Sequence, residues 1–218
     1  MSQEQWTAVD QYYSKLLIEP DSALEAALAD SAAAGLPGIN VAPNQGKLLH
    51  LLAKMNGCQR ILEIGTLGGY STIWLARALP AGGKLVTLEY EPRHAEVARK
   101  NIARAGLAGV VEIRVGPAIQ SLPNLAGEGS FDLVFIDADK TSTADYFTWS
   151  LKLTKPGSVI IVDNVVRKGG VVDPKGDEAV QGIRRFNELL SKEKRVEATA
   201  IQTVGTKGYD GLVIARVK

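Results

Sequence analysis

Five polar residues close two apolar runs of this 218-residue chain: Asp137, Asp139 and Lys140 end the run FIDADK, and Asp163 and Asn164 end VIIVDN. Two carboxylates and an amide oxygen make a hard, oxygen-only donor set of the kind Mg2+ or Ca2+ accepts, with room left for waters or a substrate oxygen. Zinc would ask for His or Cys, and neither stands in these stretches. His50 and His94 fall on expected helices and read as ordinary structural or surface residues. If the two runs are neighbouring parallel strands, about 4.8 Å apart, their ends converge on one point. The alternative is that acids at strand ends only cap the helices that follow. For Asp139 that reading stands level with the functional one.

A second constellation lies upstream, in ILEIGTLGGYST. Gly65, Gly68 and Gly69 allow the backbone to turn sharply and approach a ligand where a Cβ would collide. The spacing G-x-x-G-G is not the G-x-G-x-x-G of dinucleotide folds, and Glu63 precedes the loop. A pyrophosphate seat wants helix-terminal N–H groups and no adjacent carboxylate. A seat for a cationic sulfonium amino acid tolerates Glu63. The next apolar run ends in Glu89, about twenty residues on, where doubly wound folds place an acid that accepts hydrogen bonds from ribose hydroxyls. For the loop by itself, a tight turn without a ligand is the alternative.

The elements that must hold these residues follow from the apolar pattern. RILEIG (60–65), KLVTLE (84–89), VEIRVG (111–116), FDLVFIDA (131–138) and GSVIIVD (157–163) alternate with amphipathic segments near 69–79, 92–105, 117–125 and 143–154. Alternation of this kind implies crossover connections and a parallel sheet covered on both faces. Runs as apolar as LVFI and VIIV suit strands buried on both sides. After a helix near 177–192, ATAIQTV and GLVIARV flank the Gly-rich GTKGYD and read as a terminal antiparallel pair. Residues 1–56 read as helices, one of them capped by Asp21 and Ser22, another running from Gln45 to Met55.

Composition narrows the partners. A chain with 45% hydrophobic and 22% charged residues is that of a folded globular protein able to bury its own core. A net charge of +1 with dispersed Lys and Arg leaves no basic stripe for nucleic acid. No apolar stretch nears the ~20 residues needed to span a bilayer. The start MSQEQWTAVDQYY lacks the apolar run of a signal peptide, and Cys58 has no partner for a disulfide, so a cytoplasmic protein is expected.

LEIGTLGGYS, FIDADK and VDN, in that order and spacing, resemble the cation-dependent O-methyltransferases, the group of catechol and caffeoyl-coenzyme A methyltransferases. The similarity runs from about Thr7 to the C-terminus, is closest to small bacterial members, and includes the upstream NVAPNQGKLL. The expected fold is α/β: a single doubly wound, Rossmann-like sheet of seven strands in the order 3-2-1-4-5-7-6, its last pair antiparallel, in one domain with extra N-terminal helices. The resemblance implies that Asp137, Asp163 and Asn164 bind a divalent cation, Mg2+ ahead of Ca2+ or Mn2+. It makes Lys140 the general base, acting beside Asp137. Val41, Glu63, Gly65, Ser71, Glu89, Ala118 and Asp137 would contact S-adenosylmethionine, with Thr66 and Gly69 from the same loop. It also implies a homodimer and a small catechol-like or phenolic acceptor. One departure concerns the acceptor side. Where many relatives carry a Leu-Trp-type segment after DN, this chain has Val165-Val166-Arg167-Lys168. The two basic residues read first as solvated, with an acidic substrate as the alternative.

The implied reaction is an in-line displacement at a sulfonium methyl. A phenol is a weak nucleophile, with a pKa of ~10, and a divalent cation on its oxygen lowers that value. Two rivals remain at this stage. A nicotinamide-dependent oxidoreductase has no use for the acidic set, and a silent nucleoside-binding module would have lost that set or the lysine.

Overall fold

The computed structural model describes residues 2–218, and its sheet is built from the apolar runs in the order β3-β2-β1-β4-β5-β7-β6. The strands are β1 Arg60–Ile64, β2 Lys84–Glu89, β3 Val111–Val115, β4 Phe131–Ile136, β5 Thr154–Asp163, β6 Val196–Gly205 and β7 Gly208–Val217. The first five are parallel; β7 runs antiparallel to both β5 and β6. All six residues of β4 are buried, as a central strand sheathed on both faces requires. The helices are α1 Gln3–Leu17, α2 Ser22–Ala33, α3 Pro43–Met55, α4 Tyr70–Ala76, α5 Pro92–Arg104, α6 Ala118–Ser121, α7 Thr143–Leu153 and α8 Glu178–Lys192.

Side-chain alternation along the strands divides the core in two. Leu62, Ile64, Val134, Ile136 and Ile160 face α7 and α8, where Phe147 and Phe186 meet edge to face at 5.2 Å. Ile61, Leu133, Phe135 and Ile161 face the other way, against α3, α4 and α5. The N-terminal helices are tied on by polar contacts as well. Asp21 caps α2 by accepting from the backbone N–H groups of Ala23 and Leu24 and pairs with Arg77 at the end of α4. Helix α1 buries none of its residues and reaches the β6–β7 turn through Asp10, which accepts from the Thr206 N–H at 2.7 Å.

Three boundaries differ from the sequence reading. The segment near 117–125 is α-helical only through Ser121 and continues as a 3-10 turn, Leu122–Leu125. Pro123 has no N–H to continue the α ladder there. Strand β5 starts at Thr154, and β6 and β7 stay paired down to Gly205 and Gly208, so the hairpin turn is Thr206-Lys207 and not the whole of GTKGYD.

Register decides what the strands deliver. Ile64 lies opposite Ile136, and Ile136 opposite Val162, so the residues just beyond these positions emerge at one level. They are Gly65, Asp137 and Asp163. The Asp137 N–H still donates to the Ile64 carbonyl at 2.9 Å, and the Gly65 N–H to the Leu88 carbonyl at 2.9 Å.

Candidate active site

Along the carboxyl edge of the sheet runs a cavity of about 770 Å3, within the range of small-molecule sites. Its lining follows the strand order: Glu89 and Tyr90 from the tip of β2, the loop after β1, Asp137 and Lys140 after β4, Asn164 after β5. Three strand spacings separate the β2 and β5 tips, roughly 14 Å, enough for a nucleoside at one end and a reacting group at the other.

At the nucleoside end, Glu89 is 6% exposed and clamps the glycine loop. Its Oε2 accepts from the N–H groups of Thr66 (3.1 Å) and Leu67 (2.7 Å), and its Oε1 from that of Glu91 (2.9 Å). Leu67 is held at φ +50°, a left-handed conformation that costs a non-glycine residue about 1 kcal/mol or more. His94, expected as an ordinary structural or surface residue, has its Nδ1 3.3 Å from Glu89 Oε1 and lines the cavity. His50 is the structural residue expected, with Nδ1 3.1 Å from the Trp74 carbonyl.

Of the residues expected on the coenzyme, Val41, Gly65, Thr66, Ser71, Glu89, Ala118 and Asp137 line the cavity. Glu63 and Gly69 do not. Glu63 is fully buried and accepts from the hydroxyls of Ser71 (2.6 Å), Thr72 (2.5 Å) and Thr87 (2.7 Å). Burial pushes its carboxyl up to about 7, against the pull of those three hydroxyls. Its role is to fix Ser71, which does face the cavity. Gly69 is held at φ +84°, a conformation that strains a side chain, and a Cβ there would only touch Ala98 and Ile102 of α5 at 3.4 Å, so the turn is what asks for glycine.

At the other end, Asp137 Oδ1 accepts from Lys140 Nζ at 2.9 Å, and both line the cavity with Asn164. Asp163 is 5% exposed; its Oδ1 accepts from the Asn164 N–H (2.8 Å) and its Oδ2 from Gln45 Nε2 (2.6 Å). Burial pushes the Asp163 carboxyl up to about 7; the neighbouring charge of Asp137 adds to this and Lys140 opposes it. Asn164 sits at φ +58°, a region that Asn enters more readily than most residues, and this turns the chain out of the strand. A buried carboxylate, Asp163, beside the part-exposed Asp137 and next to Asn164 is a donor chemistry that fits a hard dication. Among the described residues no three His, Cys, Asp or Glu side chains gather around a point. Asp139 is spent elsewhere: it caps the next turn through the Ser142 N–H (3.0 Å) and accepts from the Thr141 and Tyr146 hydroxyls. Burial raises its carboxyl, but those bonds outweigh it and hold the group below its ordinary value.

Gln45 and Asp210 are functional contacts that the sequence did not single out. Gln45 lies in the first turn of α3, where nothing separates it from a solvated glutamine. Asp210 Oδ1 accepts from the N–H groups of Val166, Arg167 and Gly211, each at 3.0 Å, and so pins the segment after Asn164.

Fold and site together are those of an α/β protein with a nucleoside-sized cavity along the carboxyl edge of its sheet. The family model for O-methyltransferase matches residues 19–218. A catechol O-methyltransferase of Niastella koreensis is 54% identical over 221 residues, covering 100% of both chains. The O-methyltransferase of Bacillus cereus, solved in complex with SAH, superposes with a TM-score of 0.98 at 57% identity and 100% coverage of both chains. TomG of Streptomyces achromogenes, an O-methyltransferase involved in tomaymycin synthesis and solved with SAM, gives 0.97 at 53% identity over 100% of this chain and 99% of that one. This chain belongs to the O-methyltransferase family and is a methyltransferase. The oxidoreductase and silent-module readings are thereby set aside. Among the described residues no helix is long and apolar enough to cross a membrane.

Proposed function

We propose that the protein transfers the methyl group of S-adenosylmethionine to one hydroxyl of a catechol-like acceptor, with a divalent cation, Mg2+ first, held by Asp137, Asp163 and Asn164. What supports this reading is a cavity lined at one end by Asp137, Lys140 and Asn164, with the buried Asp163 just behind them and bonded to the Asn164 N–H, and at the other end by a Glu89-clamped glycine loop. The relatives solved with SAH and SAM support the coenzyme, and the name of the Niastella relative supports the acceptor.

In this reading Glu89 receives the ribose hydroxyls, while Val41 and Ser71 hold the amino-acid part. When bound, the cation supplies a positive centre that lowers the pKa of a hydroxyl touching it from ~10. Lys140, after giving up its own proton, would take the hydroxyl proton on Nζ as the oxygen–methyl bond forms and the sulfur–methyl bond breaks. Holding oxygen, methyl and sulfur in line contributes ~7–11 kcal/mol. A homodimer belongs to the same proposal: α1 leaves Tyr12, Leu16 and Leu17 60–64% exposed, an apolar face suited to a second copy.

The test is transfer of labelled methyl to a panel of catechols and monophenols, with and without chelator. Catechols should be methylated and the chelator should stop it; equal rates in both arms would remove the cation from the mechanism. Gln45 offers a finer check. Gln45→Leu removes the 2.6 Å bond to Asp163 and is expected to raise the Mg2+ concentration for half-maximal rate about tenfold, as loss of a partner behind a metal ligand does. SAH affinity, read by calorimetry, should hold.

A further inference from the structure

Of the two basic residues after Asn164, the structure separates their fates: Lys168 is exposed, whereas Arg167 lines the cavity. Three observations converge on Arg167. Its Nε is buried without a hydrogen-bond partner among the described residues. The other basic side chains lining the cavity are engaged, Lys140 with Asp137 and His94 with Glu89, and among the described residues no carboxylate pairs with Arg167. Its backbone is held at φ +54°, with Lys168 at +55°, by the Asp210 clamp. Left-handed backbone is uncommon for a long side chain and costs energy at each such residue. A buried charged donor without a partner carries a further desolvation cost. A planar guanidinium with free donors is suited to a carboxylate, which it binds by paired N–H···O bonds.

We propose that Arg167 receives an acidic group on the acceptor, so that the preferred substrates are catechols bearing a carboxylate. The inference rests on the catechol reading and adds its substrate class. Arg167 lines the same cavity as Asn164 and Lys140, so an acceptor whose hydroxyls lie at those two residues shares the cavity with the guanidinium. The nearby acids do not compete for it: Asp137 is paired with Lys140 and Asp139 is consumed by its cap and by Tyr146.

The experiment compares kcat/KM for 3,4-dihydroxybenzoate and for unsubstituted catechol at saturating S-adenosylmethionine and Mg2+, in wild type, Arg167→Met, Arg167→Lys and Arg167→Gly. Wild type should prefer the carboxylate, and Arg167→Met should lower that preference by about ten- to a hundred-fold, the range expected for losing a charge-assisted pair. The change should fall on KM. Arg167→Lys, which keeps the charge, should retain part of the preference. Arg167→Gly relaxes the left-handed backbone and should lose the preference as fully as Met does, which separates charge from strain. An unaltered preference ratio in Arg167→Met overturns the inference, and so does an equal loss on both substrates accompanied by weaker SAH binding, which would give Arg167 to the coenzyme. Turnover of neither catechol by wild type sinks the catechol reading itself.

Discussion

Asp163→Ala is expected to lower methyl transfer by on the order of a hundred- to a thousand-fold, the loss seen when one stabiliser of a developing oxyanion is removed. SAH should still bind, because Glu89, Thr66 and Ser71 belong to the β1 and β2 side of the cavity and touch nothing that Asp163 holds. The physical reason is the burial of Asp163 beside the part-exposed Asp137: the two carboxylates repel each other, and a dication between them would relieve that repulsion. A thermal measurement makes the claim independent of turnover. Mg2+ at a hundred times its Kd stabilises a binding protein by about 2.7 kcal/mol, which for a chain of this size raises Tm by roughly 5–10 °C. Wild type should show that rise and Asp163→Ala should not. A variant that keeps the Mg2+ shift, or wild type that shows none with coenzyme product present, removes Asp163 from the cation site.

The other large effect is expected from Gly65→Ala. A Cβ there would stand 2.1 Å from the Asp137 carbonyl oxygen and 2.8 Å from its carbon, on a backbone at φ +102°. Neither atom belongs to a flexible side chain, so β1 and β4 must part at their tips and the 2.9 Å bond from Asp137 N–H to Ile64 is lost. We expect destabilisation of about 3 kcal/mol or more, hence a Tm lower by roughly 6–12 °C, together with loss of SAH binding and of activity. Gly57→Ala is the control: φ is +61° but nothing lies within 4 Å of the added methyl, so only the conformational cost of ~1–2 kcal/mol applies. Equal melting temperatures for the two variants would show that the close approach at Gly65 does not matter.

The sheet could be read from the chain because parallel strands buried on both faces leave near-continuous apolar runs, and FDLVFI and VIIVD are such runs. The same runs end in the acids, so Asp137, Asp163 and Asn164 were visible together with their strands. What escaped was direction and distance. Glu63 and Gly69 belong to the glycine motif, yet one points into a nest of hydroxyls and the other only makes the turn. Composition does not say which side of a loop a residue takes. Gln45 and Asp210 reach the site from 118 and 44 residues away in the chain, without any local pattern that marks them. Arg167 and Lys168 are adjacent and alike in charge; only the left-handed turn decides which of them meets the cavity.

That turn is fastened by Asp210, from the terminal hairpin, whereas the cation oxygens stand on β4 and β5. In the proposed function the segment after Asn164 thus has a fastening of its own, although β7 also pairs with β5 through Leu212 and Asp163. In the proposed function, substitutions in residues 165–168 redraw the acceptor wall without replacing Asp137, Lys140 or Asp163. A scaffold fastened in this way lends itself to diversification, one methyl-transfer engine serving many aromatic partners through changes confined to that segment.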